Sequence, residues 1–341
     1  MNSRERVIRA IEFRKPDRVP ILHAITPAFA SKNPNLVKEI LKKYPGDFAQ
    51  VVDPFSLIEK EPTLRRGVHR DRWGVVWKVS IDGIGGMVIS HPLADLDALK
   101  DYKPPDPLAD PWFNYYEEFL RINECEKYVI ADIINLFERA QWLRGFQNLM
   151  VDIVTERSEL DKILDLILDY NIKRIKRWCE MDVDGISFFD DWGTQENLII
   201  NPAQWRRIFK PRYKAMFDLV HKYGKYVHFH SDGYILDIIP DLIEIGADTL
   251  NVQLAVMGIK KLGELFGGKI CFISDVDRQR ILPYGTPEEV KKHFKEIFDS
   301  LGRFNGGLIA CGEIGPDVPP SNAIAMYEAF IEYGQYYKNV P

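Results

Sequence analysis

An α/β fold in the form of an eight-stranded (β/α)8 TIM barrel is what this sequence predicts, on three observations. Short apolar runs rich in β-branched and aromatic residues recur along the chain. Amphipathic helical patterns separate them. Most of the runs are continuously apolar rather than alternating, as strands buried on both faces are. A chain of 341 residues is long enough for one large barrel.

The eight expected strands are Arg18–His23, Phe48–Asp53, Tyr128–Asn135, Gly185–Asp190, Tyr226–Ser231, Asp248–Gln253, Lys269–Asp275 and Gly307–Cys311. The helices between them carry start signals. Asn2 with Glu5 caps a short helix bearing Val7, Ile8 and Ile11. Ser158 with Asp161 forms an N-cap and N3 pair before Leu160, Ile163, Leu164 and Ile167. Asn201-Pro202 places a cap before a proline at the first helical position, and Thr286-Pro287-Glu288-Glu289 adds a capping box to the same device.

One gap breaks the alternation. The stretch from Asp53 to Tyr128 far exceeds an ordinary βα connection. Within it, Trp73–Val79 and Gly86–Ser90 are expected to pair as a hairpin around Asp82-Gly83. Pro104-Pro105-Asp106-Pro107 marks irregular backbone. Residues 60–127 therefore read as a cap inserted between the second and third strands. Residues 1–341 are expected to form a single barrel domain, because strands on both sides of the insertion are needed to close it.

Composition narrows the function. The net charge is -5, and lysines and arginines are interspersed with acids, so nucleic acid is not the expected partner. No apolar run approaches a membrane span. Met1-Asn2-Ser3-Arg4-Glu5-Arg6 has no apolar signal region. The 4 cysteines, Cys125, Cys179, Cys271 and Cys311, are widely spaced without a CxxC pair, which fits a reduced, cytoplasmic setting. Tyr333, Tyr336 and Tyr337 read as helix packing.

Barrel enzymes place their chemistry at the C-terminal ends of the strands. Those ends carry His23, Asp53, Asn135, Asp190, Asp191, His230, Asp232, Gln253, Asp275, Asp277, Cys311 and Glu313. Polar groups at nearly every end predict a solvated cavity. The most informative pieces are Tyr226-Val227-His228-Phe229-His230-Ser231-Asp232-Gly233 and Ala310-Cys311-Gly312-Glu313. Alternation puts His228, His230 and Asp232 on one face of the fifth strand. Imidazole, thiolate and carboxylate together suit zinc. Two readings stand. In one, His230 and Cys311 bind zinc, with Asp232, His228 or Glu313 completing the set. In the other, His230 caps a strand, Cys311 is an inert buried thiol, and His228 is a satisfied core histidine. Asp190-Asp191 follows the fourth strand, and strand parity favours Asp190 for a catalytic role, to which Asp53 and Glu313 are also assigned. Gln253, Asp275 and His23 share the rim logic and are assigned to substrate binding, with Gln195.

These residues resemble the uroporphyrinogen decarboxylase superfamily. The likeness runs through Arg4-Glu5-Arg6-Val7, Lys15-Pro16-Asp17-Arg18-Val19-Pro20, Asp71-Arg72-Trp73-Gly74 and His91-Pro92-Leu93. It continues in Asp190-Asp191-Trp192-Gly193-Thr194-Gln195, Lys210-Pro211-Arg212-Tyr213, His230-Ser231-Asp232-Gly233 and Pro316-Asp317-Val318-Pro319-Pro320-Ser321-Asn322. The resemblance implies a distorted TIM barrel and two branches of activity. In the corrinoid-dependent methyltransferases and O-demethylases, zinc is held by a histidine-x-cysteine motif and a later cysteine. His230 matches the histidine, Asp232 stands at the first cysteine, and Cys311 matches the second. This branch implies a small-molecule methyl donor or acceptor and a corrinoid carried by a partner protein. Large barrels often associate, so a homodimer is an open expectation. In the decarboxylases, Asp53 would hold the pyrrole NH groups, but Ile21–Phe29 lacks the expected arginines. A non-catalytic tetrapyrrole- or corrinoid-binding protein is the third alternative.

Overall fold

The computed structural model describes residues 1–122 and 126–336; Cys125 and Tyr337 lie outside the described residues. The fold is mixed α/β around a parallel half-barrel sheet. The short strand Ala24–Ile25 (β1) comes first in the chain. The antiparallel strands Gly67–Arg70 (β2), Val76–Val79 (β3) and Met87–Ser90 (β4) follow. The half-barrel consists of Ile130–Ile134 (β5), Gly185–Phe189 (β6), Tyr226–Ser231 (β7), Thr249–Val252 (β8), Cys271–Ile273 (β9) and Leu308–Ile309 (β10). Glu313–Ile314 (β11) pairs in parallel with β1.

Strands β5 to β10 are neighbours in sequence order, all parallel. They coincide with six of the eight predicted strands. The other two are reduced to single bridges, Ile21 to Ala310 and Phe48 to Tyr128. Local chemistry explains the shortening. Pro20 has no N–H for a ladder, and the Asp53 carboxylate turns the chain back by accepting from the N–H groups of Phe55 and Ser56.

A buried acid ties these irregular segments together. Asp47 is 0% exposed. Its carboxylate accepts from Arg6 Nη1 at 2.6 Å, Arg18 Nη1 at 2.8 Å and the Ile21 N–H at 2.8 Å. Its own N–H donates to the Ile21 carbonyl, and its carbonyl accepts from the Tyr128 N–H. One residue therefore holds three separate segments through both side chain and backbone.

The helix starts follow the sequence closely. Asn2, Asn201 and Thr286 each accept from a first-turn N–H, and Thr286 with Glu289 forms the full capping box. Ser158 differs: the cap position belongs to Arg157, and Ser158 already lies inside the helix.

The long connection forms a three-stranded antiparallel sheet, β2-β3-β4, with β2 added to the predicted hairpin. It packs through aromatics onto the helix Phe137–Arg144, which follows β5. Trp77 meets Trp142 at 5.0 Å, and the Arg139 guanidinium lies 4.8 Å from the Trp73 ring and 4.6 Å from the Trp142 ring. Arg144 donates to the carbonyls of Leu93 and Ala94 and pairs with buried Asp152.

Cys179, Cys271 and Cys311 are buried and free. Among the described residues, no helix is long and apolar enough to cross a membrane. Removing a buried charge while leaving its partners in place is strongly destabilising. Asp47→Ala is therefore expected to lower unfolding stability by about 3–5 kcal/mol. Urea denaturation would check it, and a loss below about 1 kcal/mol would mean that the staple is dispensable.

Candidate functional site

Parallel register lines up Phe189, His230, Asn251 and Ile273 across β6, β7, β8 and β9. Because these residues are directly opposite one another, their side chains share a face. The Asn251 amide NH2 donates to the Ile273 carbonyl at 3.1 Å. That orients its oxygen toward His230 Nδ1, 2.6 Å away. An oxygen in that place requires the proton on Nδ1 and leaves the lone pair on Nε2. Phe189 stacks on the His230 ring at 4.5 Å and limits its rotation.

Nε2 faces two carboxylates. Asp232 Oδ1 is 3.5 Å away and Asp191 Oδ1 is 3.7 Å away. All three donor atoms lie within 4.8 Å of one another. Zinc bonds near 2.1 Å place tetrahedral ligands roughly 3.4 Å apart. The observed spacings therefore suit a divalent cation, with hard carboxylate donors outnumbering the imidazole.

Two crossing loops hold this geometry. The Asp232 N–H donates to Asp191 Oδ1 at 2.8 Å, the Gly193 N–H to the Asp232 carbonyl at 3.0 Å, and the Trp192 N–H to Ser231 Oγ at 3.0 Å. A Cβ on Gly193 would sit 2.3 Å from the Tyr234 nitrogen, and one on Gly233, at φ +76°, would sit 2.3 Å from the Gly193 carbonyl. Only two glycines let the loops approach this closely. Burial first, then the neighbouring Asp232 charge, pushes the Asp191 carboxyl up.

Charge accumulates around the triad. Arg278 donates to Asp232 and lies 3.5 Å from Glu313. Asp275 is pushed up to about 7 by burial, while Arg278 pulls it the other way. Glu138 is pushed up to about 9 by burial and then by Asp190 and Asp191, although Asn135 donates to it at 3.0 Å.

Several predicted site residues are placed elsewhere. Cys311 does not gather with His230 and Asp232 within 4.8 Å. It is 6% exposed, its N–H is held by Ser274 Oγ, and burial raises its thiol far above the ordinary range. His228 has both nitrogens engaged, by Tyr128 Oη at 2.9 Å and Thr249 Oγ1 at 2.8 Å, and burial lowers it to about 4. It belongs to a lower layer, opposite Ser187 and Thr249.

Asp190 is completely buried and turned away from His230. It accepts from the N–H groups of Leu136 and Glu138 and from Tyr213 Oη at 2.5 Å. It thus satisfies the open N-terminus of Phe137–Arg144. Parity runs through Phe189, so Asp191 is the residue on the site face. Asp53 is exposed and engaged in its own turn, with Ser56 Oγ at 2.5 Å. Gln195 is exposed in the turn closed by Thr194 and Asn197. Gln253 accepts from the Gly233 N–H at 2.9 Å and braces the loop. His23 bonds Tyr327 Oη at 2.8 Å, and burial, then Lys127, lowers it to about 4. Glu313 remains at the rim through Arg278.

Asn251, Arg278, Glu138 and Phe189 were missed from sequence. Asn251 carried a usable signal, since it sits in a predicted strand two residues before its end at Gln253, on the same face. Arg278 and Glu138 lie in loop and helix beyond the strands and carried none.

The raised Glu138 pKa has a direct consequence. Its folded value lies above the ordinary one, so its stabilising contribution is full at low pH and is lost as pH rises from about 4.5 through about 9. Glu138→Gln resembles the protonated form. Between pH 6 and pH 9 its urea midpoint should fall less than that of the wild type; equal falls would refute a protonated Glu138.

A family model described as uroporphyrinogen decarboxylase (URO-D) matches residues 74–333. Among solved structures, a methyltransferase from Methanosarcina mazei superposes with a TM-score of 0.70 over 98% of this chain and 99% of that one, at 15% identity. At this identity the likeness is one of fold. A GH27 β-L-arabinopyranosidase from Geobacillus stearothermophilus gives a TM-score of 0.45, at 10% identity over 95% of this chain and 78% of that one. A B12-independent methionine synthase from Shewanella sp. W3-18-1 gives 0.42, at 12% identity over 89% and 86%. No curated protein matches in sequence. With the family model covering most of its length, from β3 to the last helix, the chain belongs to the uroporphyrinogen decarboxylase family.

Proposed function

We propose that this protein is a zinc-dependent methyltransferase or O-demethylase that passes a methyl group between a small molecule and a corrinoid on a partner protein. One observation carries the reading: an imidazole lone pair and two carboxylate oxygens stand at ligand spacing on one rim. The fold likeness to a methyltransferase supports it. In this reading the six strands and the two bridged segments at Ile21 and Phe48 close an eight-position barrel, with β2, β3 and β4 as part of a cap at its mouth.

His230, Asp191 and Asp232 would hold the ion. A zinc ion there supplies Lewis acidity toward an ether oxygen or a thiol. The protein does the rest. Asn251 keeps the His230 lone pair available, Phe189 fixes the ring plane, and the crossed glycine loops hold the two carboxylates at spacing. Two oxygen donors make the set harder than one of thiolates, which favours an ether-oxygen substrate.

Decarboxylation of a tetrapyrrole is the second reading, favoured by the description of the family model. The rim charge works against it. Asp191, Asp232, Asp275 and Glu313 surround Arg278, and a polycarboxylate substrate would meet repulsion there.

Elemental analysis and zinc titration test the assignment. Wild type should bind one zinc ion. His230→Ala should weaken binding by more than about a hundredfold, beyond the loss typical of an outer-shell partner. Cys311→Ser should retain wild-type affinity; loss of zinc in that variant would restore Cys311 to the ligand set. Methoxylated aromatics should lose their methyl group to cob(I)alamin only with zinc-loaded protein. Equal rates from metal-free protein would end the zinc reading.

A further inference from the structure

Arg278 occupies a position that a bound cation would contest. It donates to Asp232 Oδ1, the same oxygen that stands 3.5 Å from His230 Nε2. Its other terminal nitrogen lies 3.5 Å from Glu313 Oε2. The Arg278 side chain is 20% exposed, and Asp275 adds a further negative charge beside it. The guanidinium is therefore shared between Asp232 of the triad and Glu313 outside it, within the field of Asp275.

We infer that Arg278 and a divalent cation compete for Asp232, and that Glu313 and Asp275 receive the guanidinium when the cation takes that oxygen. The inference rests on the metal reading of the triad.

Two effects of opposite sign act here. A donor on a ligating carboxylate can orient it and strengthen metal binding. A positive guanidinium on the same oxygen also repels a dication at short range. Repulsion wins in this inference, because Arg278 has only the side-chain torsions of Asp232 left to orient; the backbone of Asp232 is held without it. Its N–H is fixed on Asp191, its carbonyl accepts from Gly193, and Gly233 after it is braced by Gln253. Orientation by Arg278 adds little to that, while its charge subtracts directly. Glu313 gives the displaced guanidinium a partner, so it need not be stranded. Arg278 would then set the cation concentration at which the site loads.

Isothermal titration with zinc alone tests this, on wild type, Arg278→Ala, Arg278→Lys, Glu313→Gln and the double variant Arg278→Ala/Glu313→Gln. Arg278→Ala is expected to bind at least tenfold tighter than wild type. Arg278→Lys should fall between them, since a compact ammonium cannot form the forked contact. Glu313→Gln should weaken binding in the wild-type background and have much less effect in Arg278→Ala, a non-additivity that simple loss of charge would not produce. Unchanged or weaker binding by Arg278→Ala overturns the inference and makes Arg278 a support for the ligand, leaving the metal site intact. If neither wild type nor Arg278→Ala binds zinc better than His230→Ala does, the metal reading fails, and this inference fails with it.

Discussion

The in-register parallel pairing of β6, β7 and β8 is the constraint from which the site follows. It sets Phe189, His230 and Asn251 side by side on one face. Asn251 then fixes which nitrogen of His230 carries the proton, and Phe189 fixes the plane of the ring. A slip of one residue between these strands would turn each side chain to the opposite face. His228 shows the cost of position: two residues earlier on the same strand, an identical side chain is fully engaged with Tyr128 and Thr249 and has no chemistry left to offer.

The two adjacent carboxylates after β6 divide the work. Asp190 points into the helical layer and binds the N-terminus of Phe137–Arg144, the helix on which the aromatic residues of the antiparallel sheet rest. Asp191 points at His230 and accepts from the Asp232 backbone. The strand end thus anchors the framework with one acid and builds the site with the next. Glu138 is coupled to both, because it donates its N–H to Asp190 while its carboxyl feels the charges of Asp190 and Asp191.

Acids exceed bases on this rim, and the excess gives the site its character. Like charges held close together cannot all ionise freely, so burial and mutual repulsion raise Asp191, Asp275 and Glu138. In the proposed reading this excess of acids favours a cation over a polyanion. Far from it, Asp47 uses the same buried-carboxylate chemistry for the opposite purpose. Matched by Arg6 and Arg18, it closes the irregular N-terminal segments against the sheet.

The order of elements and most of their capping are legible in the chain alone, because they depend on local periodicity and on single residues such as Asn201 and Thr286. The same reading places the site at the ends of Tyr226–Ser231 and Gly307–Cys311, with Asp190-Asp191 beside them; His230, Asp232 and Asp191 do gather, and Cys311 does not. Which residues meet there depends on contacts that no single segment holds. Strand register chose Asp191 over Asp190 and His230 over His228, and no residue type encodes register between two apolar strands. Packing withheld Cys311 from the triad, and loop geometry brought Arg278 to Asp232, because both contacts join segments far apart in the chain and depend on how the intervening backbone is held.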